Sequence, residues 1–185
     1  IGALPVELVE TVFGEGAASA PIMFVGEQPG NAEDLSGRPF IGPAGKLLNR
    51  ALADAGLDRP QIYVTNAVKH FKWEQRGKRR LHKRPGSLEI VACKPWLEAE
   101  IAAIAPQVIV CLGATAALAL LGRSFRLTQQ RGQFVSSPLA PFVTATVHPS
   151  ALLRMSDAET REREYGLFVR DLRTAAGAVR RHARP

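Results

Sequence analysis

A carboxylate and an amide stand side by side in Gly26-Glu27-Gln28-Pro29-Gly30, directly after the apolar run Pro21-Ile22-Met23-Phe24-Val25. Apolar, β-branched and aromatic residues that stop at a glycine read as a buried strand leaving its sheet, and open α/β sheets bind ligands where strands become loops. Pro-Gly is also a common turn pair, so these residues alone leave a plain strand-and-turn reading open. The same break, from apolar strand to polar or glycine-containing loop, recurs at Asn66, at Gly113 and at His148-Pro149-Ser150. Asn66 carries an acceptor and donors on one side chain. His82 closes a cationic run, Lys78-Arg79-Arg80-Leu81-His82. A neutral imidazole is a competent nucleophile, although one more phosphate-contacting side chain is the plainer reading of its spacing.

The elements that must position these residues follow from periodicity. Strands are expected over 21–26, 62–66, 108–113 and 142–147, the third almost wholly apolar as a central parallel strand should be. Pro43 is expected to open a helix whose apolar face includes Leu47, Leu48, Ala51 and Leu52. A second helix resumes near Ser87 as its N-cap, and Pro95 is expected to kink or split it. Further helices are expected over 114–121 and 158–180, with 14–20 a linker and 31–42 a long loop. Strands alternating with helices imply an α/β fold: three layers, α/β/α, around a central, mainly parallel four-stranded sheet. In such a sheet the strand ends at Glu27-Gln28, Asn66, Gly113 and His148 share one edge.

At 185 residues the chain suits a single domain, 1–185, and its 46% hydrophobic and 22% charged residues are ordinary for a globular protein. No apolar run approaches the roughly 18 residues that span a bilayer. Two cysteines, Cys93 and Cys111, are too few for a disulfide framework, which makes a cytoplasmic location the default. The first residue is Ile1 rather than Met, which suggests a trimmed start. The net charge of +7 is concentrated in a basic loop over about 69–86, where eight Lys or Arg residues meet one acid, Glu74. Clustering of that kind suits a polyanion, because each neutralised phosphate releases counterions; the alternative is a solvated basic loop.

Several of these stretches together resemble the uracil-DNA glycosylase superfamily. Gly26-Glu27-Gln28-Pro29-Gly30, Glu33-Asp34 and Gly37-Arg38-Pro39-Phe40-Ile41-Gly42-Pro43-Ala44-Gly45 are similar to the first motif of the family 4 enzymes. Thr65-Asn66-Ala67-Val68-Lys69 resembles their second motif, and Ala92-Cys93-Lys94-Pro95-Trp96-Leu97 their helical segment. His148-Pro149-Ser150-Ala151-Leu152-Leu153-Arg154 resembles the third. Gln28, where family 4 enzymes usually carry a small residue, and the inserted Lys78-Arg79-Arg80-Leu81-His82 resemble the UdgX branch, which becomes covalently joined to uracil-containing DNA.

The resemblance implies an enzyme that extrudes a uridine, holds uracil and stabilises an oxocarbenium-like sugar. Phe40 would stack on the base, Asn66 would match its edge, and Gly26, Gly30 and Asp34 would belong to the same binding motif. His148 would donate to the uracil carbonyl where negative charge develops. Glu27 would stabilise the sugar cation or orient a water, and Gln28, which is no base, would position a water, the sugar or His82. His82 would capture C1′ before water does, its lone pair kept available by the surrounding cations. Lys78, Arg79 and Arg80 would grip phosphates. Ser150, Leu152, Leu153 and Arg154 would form a wedge and a backbone contact, with one of the two leucines expected to be core instead. The expected partner is uracil-containing DNA, single-stranded, bound by a monomer. Ordinary turnover with water as nucleophile is the near alternative, and a non-catalytic DNA-binding α/β domain the distant one.

Relatives of this branch commonly hold a [4Fe-4S] cluster through an N-terminal cysteine pair, a ligand after Val-Lys, and the cysteine of the Cys-Lys-Pro-Trp segment. Only His70 and Cys93 match here, and Gly2 stands where the second cysteine would align. Two ligands do not hold a cubane, so the cluster is expected to be absent, with the apolar stretch 4–12 packing in its place.

Overall fold

A computed structural model describes residues 11–182, with side chains as far as Val179. The positions discussed above at Gly2 and over 4–10 lie outside the described residues. Four strands, β1 (Ile22–Gly26), β2 (Ile62–Asn66), β5 (Val108–Leu112) and β6 (Phe142–Thr146), form one parallel sheet in the order β2-β1-β5-β6. The fold is the expected three-layer α/β/α arrangement. Ile22 pairs with both Ile62 and Val108, and at the other end Gly26 lies beside Asn66.

Alternation along β1 divides the core in two. Ile22 and Phe24 face a layer built from α2 (Pro43–Asp54) and α7 (Ala158–His182), where Leu48, Leu52, Phe168 and Leu172 are fully buried. Met23 and Val25 face the opposite layer, built from α3 (Ser87–Ile104) and α4 (Ala114–Leu121), against Leu97, Ile101 and Ala116. Both faces are covered, which explains why these strands are continuous apolar runs.

Four local expectations are corrected. The stretch read as a long loop contains α1 (Asn31–Ser36), capped by the Glu33 carboxylate. Glu33 Oε2 accepts from the Gly30 N–H at 3.1 Å, and its Oε1 accepts from the Gly42 N–H at 2.8 Å, so one buried side chain holds both ends of the segment. Helix α3 begins on Gly86, with Glu89 Oε2 accepting the Gly86 N–H at 2.8 Å, and runs through Pro95 without a break. Pro95 and Val91, whose carbonyl the proline deprives of a partner, both sit on the exposed side where solvent reaches them. The segment read as a linker is tied to the sheet, because Glu15 bridges Val64 and the Val12 N–H donates to the Lys69 carbonyl at 2.9 Å.

The fourth correction carries most for function. The basic loop is an antiparallel hairpin of β3 (Trp73–Arg76) and β4 (Arg79–His82), closed by Gly77 and Lys78. Gly77 has φ of 60°, the positive value that a two-residue hairpin turn demands at its first central position. Two further short helices are α5 (Leu127–Gln130), which was not foreseen, and α6 (Pro149–Leu153).

Candidate active site

A cleft of about 1010 Å³ opens over the C-terminal edge of the sheet. Three of its walls come from strand ends, Glu27 and Gln28 after β1, Asn66 on β2 and His148 after β6; the hairpin brings His82 as a fourth. The sequence places the first three at one edge by topology alone. It does not place His82, which arrives through hairpin geometry.

Glu27 is the centre of this arrangement. Its Oε1 lies 3.3 Å from His82 Nε2, and its Oε2 accepts a short hydrogen bond from Thr115 Oγ1 at the start of α4. Burial pushes the Glu27 carboxyl up, but the hydrogen bonds from His82 and Thr115 outweigh it and hold the group below its ordinary value. Thr115 was not singled out from the sequence, because a threonine inside an apolar helix carries no signal until the sheet brings the helix start against the cleft. Neighbouring cations were expected to keep the His82 lone pair available, whereas the group that faces Nε2 is the Glu27 carboxylate.

His148 caps α6. Its Nδ1 accepts from the Ser150 N–H at 3.2 Å and lies 2.8 Å from Ser150 Oγ. Burial pushes His148 down to about 4, with Arg154 adding to the effect and Glu27 opposing it. The ring is therefore neutral at physiological pH, and with Nδ1 accepting, its proton belongs on Nε2. A neutral N–H donor is what a developing oxyanion needs.

Phe40 and Asn66 meet around Gly26. A Cβ at position 26 would fall 2.4 Å from Asn66 Oδ1 and 2.6 Å from the tip of the Phe40 ring, so glycine there makes room for both. Phe40 itself has φ of 55°, uncommon for a bulky residue, and its backbone is crossed by Gly45, where a Cβ would sit 1.7 Å from the Phe40 carbonyl oxygen. The ring is only 7% exposed and lies 6.2 Å from the His148 ring. It lines the cleft while packing against the core.

Gln28 fastens the hairpin. Its Nε2 donates to the Lys72 and Lys83 carbonyls at 3.2 and 3.0 Å, and its Oε1 accepts from the Lys72 N–H at 3.2 Å. One buried amide thus clamps both feet of the hairpin that ends in His82. A second brace comes from Arg80, whose Nη1 donates to Asp34 Oδ2 at 2.6 Å and whose Nε donates to Asn31 Oδ1 at 2.7 Å. The same guanidinium lies over Phe71 and Trp73.

These contacts redirect several expectations. Asp34 does not reach the cleft; it is buried beneath Arg80. Arg80 is paired with Asp34 and braces the hairpin. Lys78 and Arg79 remain exposed. Gly30 donates its N–H to Glu33 and shapes the loop. Leu152 is fully buried in the core and cannot enter a DNA stack, whereas Leu153 is 44% exposed and lines the cleft beside Ser150 and Arg154. Leu152→Ala is expected to cost about 2–5 kcal/mol of stability, and Leu153→Ala to leave the urea midpoint nearly unchanged while weakening DNA binding.

Cys93 is buried with its Sγ accepting the Lys69 N–H at 3.3 Å, and His70 is exposed. Among the described residues no three His, Cys, Asp or Glu side chains gather as ligands for a metal. Cys111 sits in the sheet interior, its thiol pushed up to about 12 by burial. No helix among the described residues is long and apolar enough to cross a membrane.

The parallel sheet thus presents a carboxylate, an amide, a buried aromatic and a neutral imidazole along one edge. Residues 13–173 match the model of the uracil DNA glycosylase superfamily. The chain is 37% identical to the type-4 uracil-DNA glycosylase of Thermotoga maritima over 182 residues, covering 97% of this chain and 89% of that one. It is 39% identical to the type-4 enzyme of Sulfurisphaera tokodaii over 148 residues, 76% of this chain and 64% of that one. With the type-4 enzyme of Archaeoglobus fulgidus it shares 45% identity over 104 residues, 56% of this chain and 49% of that one. The chain belongs to the uracil-DNA glycosylase superfamily.

Proposed function

We propose that this protein excises uracil from DNA and then bonds His82 to the abasic sugar. The observation that carries the second step is the short chain of contacts His82–Glu27–Thr115 at the cleft. A uridine turned out of its strand lies between Phe40, Asn66 and His148. The glycosidic bond breaks with its electron pair going to uracil, and the neutral His148 donates from Nε2 to the carbonyl oxygen on which that charge gathers. The Glu27 carboxylate faces the sugar, whose ring oxygen shares the positive charge left on C1′. His82, carrying its proton on Nδ1, then forms the bond to C1′ with the lone pair of Nε2; the imidazolium so formed is balanced by the Glu27 carboxylate and loses its Nδ1 proton to solvent, leaving a neutral alkylated imidazole. Gln28 and Arg80 act before any of this, by holding the hairpin against the loop that carries Glu27. The same residues operate without an iron–sulfur group, which iron analysis of the full-length protein checks.

Ordinary turnover is the second reading, favoured by the exposure of half of the His82 side chain to solvent, from which water also reaches C1′. Incubation with a uracil-containing single-stranded oligonucleotide, followed by denaturing electrophoresis, separates the two. A denaturant-resistant band at the summed mass supports capture; strand scission by alkali without that band supports turnover and ends the capture reading.

The pH dependence follows from two groups. His148 must be neutral to serve as described, and its value near 4 keeps it so at any higher pH. Glu27, held below its ordinary value, stays ionised over the same range. Uracil release in a single turnover is therefore expected to be level between roughly pH 5 and pH 8 and to fall as the pH approaches 4, where His148 gains a proton. A fall centred near pH 6.5, the value of an unperturbed imidazole, would show that His148 is not the donor described.

A further inference from the structure

A second hollow, about 330 Å³, adjoins the cleft and shares Arg84, Ala114 and Leu127 with its wall. Its floor is apolar, formed by Ala117, Leu118 and Phe125 between α4 and α5, and its rim carries Arg84, Arg123 and Arg126. All three arginines are exposed, and among the described residues none has an acidic partner. Arg126 is folded back so that Nη1 donates to the Arg123 main-chain carbonyl.

We infer that this hollow is a subsite for the nucleotide adjacent to the extruded uridine, its base lying on the apolar floor and its phosphates against the arginines. The inference rests on the glycosylase reading for the identity of the strand, and on three features for its place. An apolar floor with a cationic rim matches a nucleotide, which is a flat π-surface with an anion attached. The hollow is continuous with the cleft, so a strand delivering a base to Asn66 has its next unit within reach. Guanidinium groups with no carboxylate to neutralise them are free to displace counterions. Arg84 lies two residues beyond His82, so the same hairpin that carries the nucleophile also carries one edge of the subsite. The protein would then grip the strand on one side of the uridine more firmly than on the other.

The test uses single strands bearing 2′-fluoro-2′-deoxyuridine, which resists glycosidic cleavage and so reports binding alone. Bases are removed one at a time at positions flanking the uridine, and affinity is read by fluorescence anisotropy at several salt concentrations. One flanking position is expected to show a loss of about 5- to 100-fold when its base is removed, the range of a single stacked base. Arg123→Ala/Arg126→Ala is expected to weaken the intact strand and to reduce the slope of log affinity against log salt by about 1.4, two single-strand phosphate contacts. A urea midpoint equal to that of the parent shows that this variant is folded. A flat scan, or a variant with the parent's slope, overturns the subsite even if uracil is still excised from an ordinary strand. Failure of the parent to excise uracil, with scan and slope behaving as expected, overturns the glycosylase reading and leaves a single-strand grip.

Discussion

His82→Ala is expected to abolish the denaturant-resistant band and to convert the protein from one turnover to many. The groups proposed to break the glycosidic bond, His148, Glu27, Phe40 and Asn66, are untouched by the substitution. The sugar cation they create still has to be quenched, and the space vacated by the imidazole lies on the solvent side, where the side chain was half exposed. Water fills it and the product is free abasic DNA. The two measurements are uracil release and the gel band from the same reaction; band loss with sustained release is the expected pair. An adduct that persists in this variant would place the nucleophile elsewhere. Gln28→Ala tests the same step from a distance. It removes the clamp on Lys72 and Lys83 without touching the ring, so the fraction captured is expected to drop while alkali-labile product rises.

The second large effect concerns stability. Lys69 is fully buried and donates to Thr65 Oγ1 at 2.7 Å, to the Asn66 carbonyl at 2.8 Å and to Glu100. Glu100 is also the acceptor for the Gly14 N–H at 2.7 Å and for the Tyr63 hydroxyl at 3.2 Å, whose pKa burial and this carboxylate both raise. Removing the cation by Lys69→Met leaves a largely buried carboxylate uncompensated, a change of about 3–5 kcal/mol. Adding Glu100→Gln removes the stranded charge while keeping an acceptor for Gly14, and is expected to recover part of the loss. Urea unfolding of the two variants decides. A double variant no better than the single one would show that the ion pair is not the source of the loss. Because the ammonium holds the Asn66 carbonyl, the single variant is also expected to lose discrimination for uracil in whatever fraction remains folded.

What the sequence could disclose follows from how local each determinant is. The four sheet strands are uninterrupted apolar runs ending in glycine or polar residues, and such runs have few alternative interpretations. Helix α1 escaped notice because its cap is a glutamate reaching back to a glycine, not a serine or threonine standing at the start. The hairpin escaped because its strands, Trp73–Arg76 and Arg79–His82, are charged and sit off the main sheet, so no apolar alternation marks them. The site shows the same division. Glu27, Asn66 and His148 were legible as strand ends on a common edge. The partnership of Thr115 with Glu27, 88 residues apart, and of Arg80 with Asp34 depends on tertiary placement that no local pattern encodes. Leu152 and Leu153 are chemically identical neighbours, and only the direction of a one-turn helix separates core from cleft.

The pairing of Trp73 with His82 has a consequence for how the nucleophile could be gained or lost. In a pleated strand, neighbours point to opposite sides, so deleting or adding one residue between Gly77 and His82 rotates the imidazole away from Glu27 and presents its neighbour instead. A lineage therefore needs no change of catalytic residue to pass between a self-trapping protein and a recycling one. A single codon inserted or removed in the tip of the ribbon is enough.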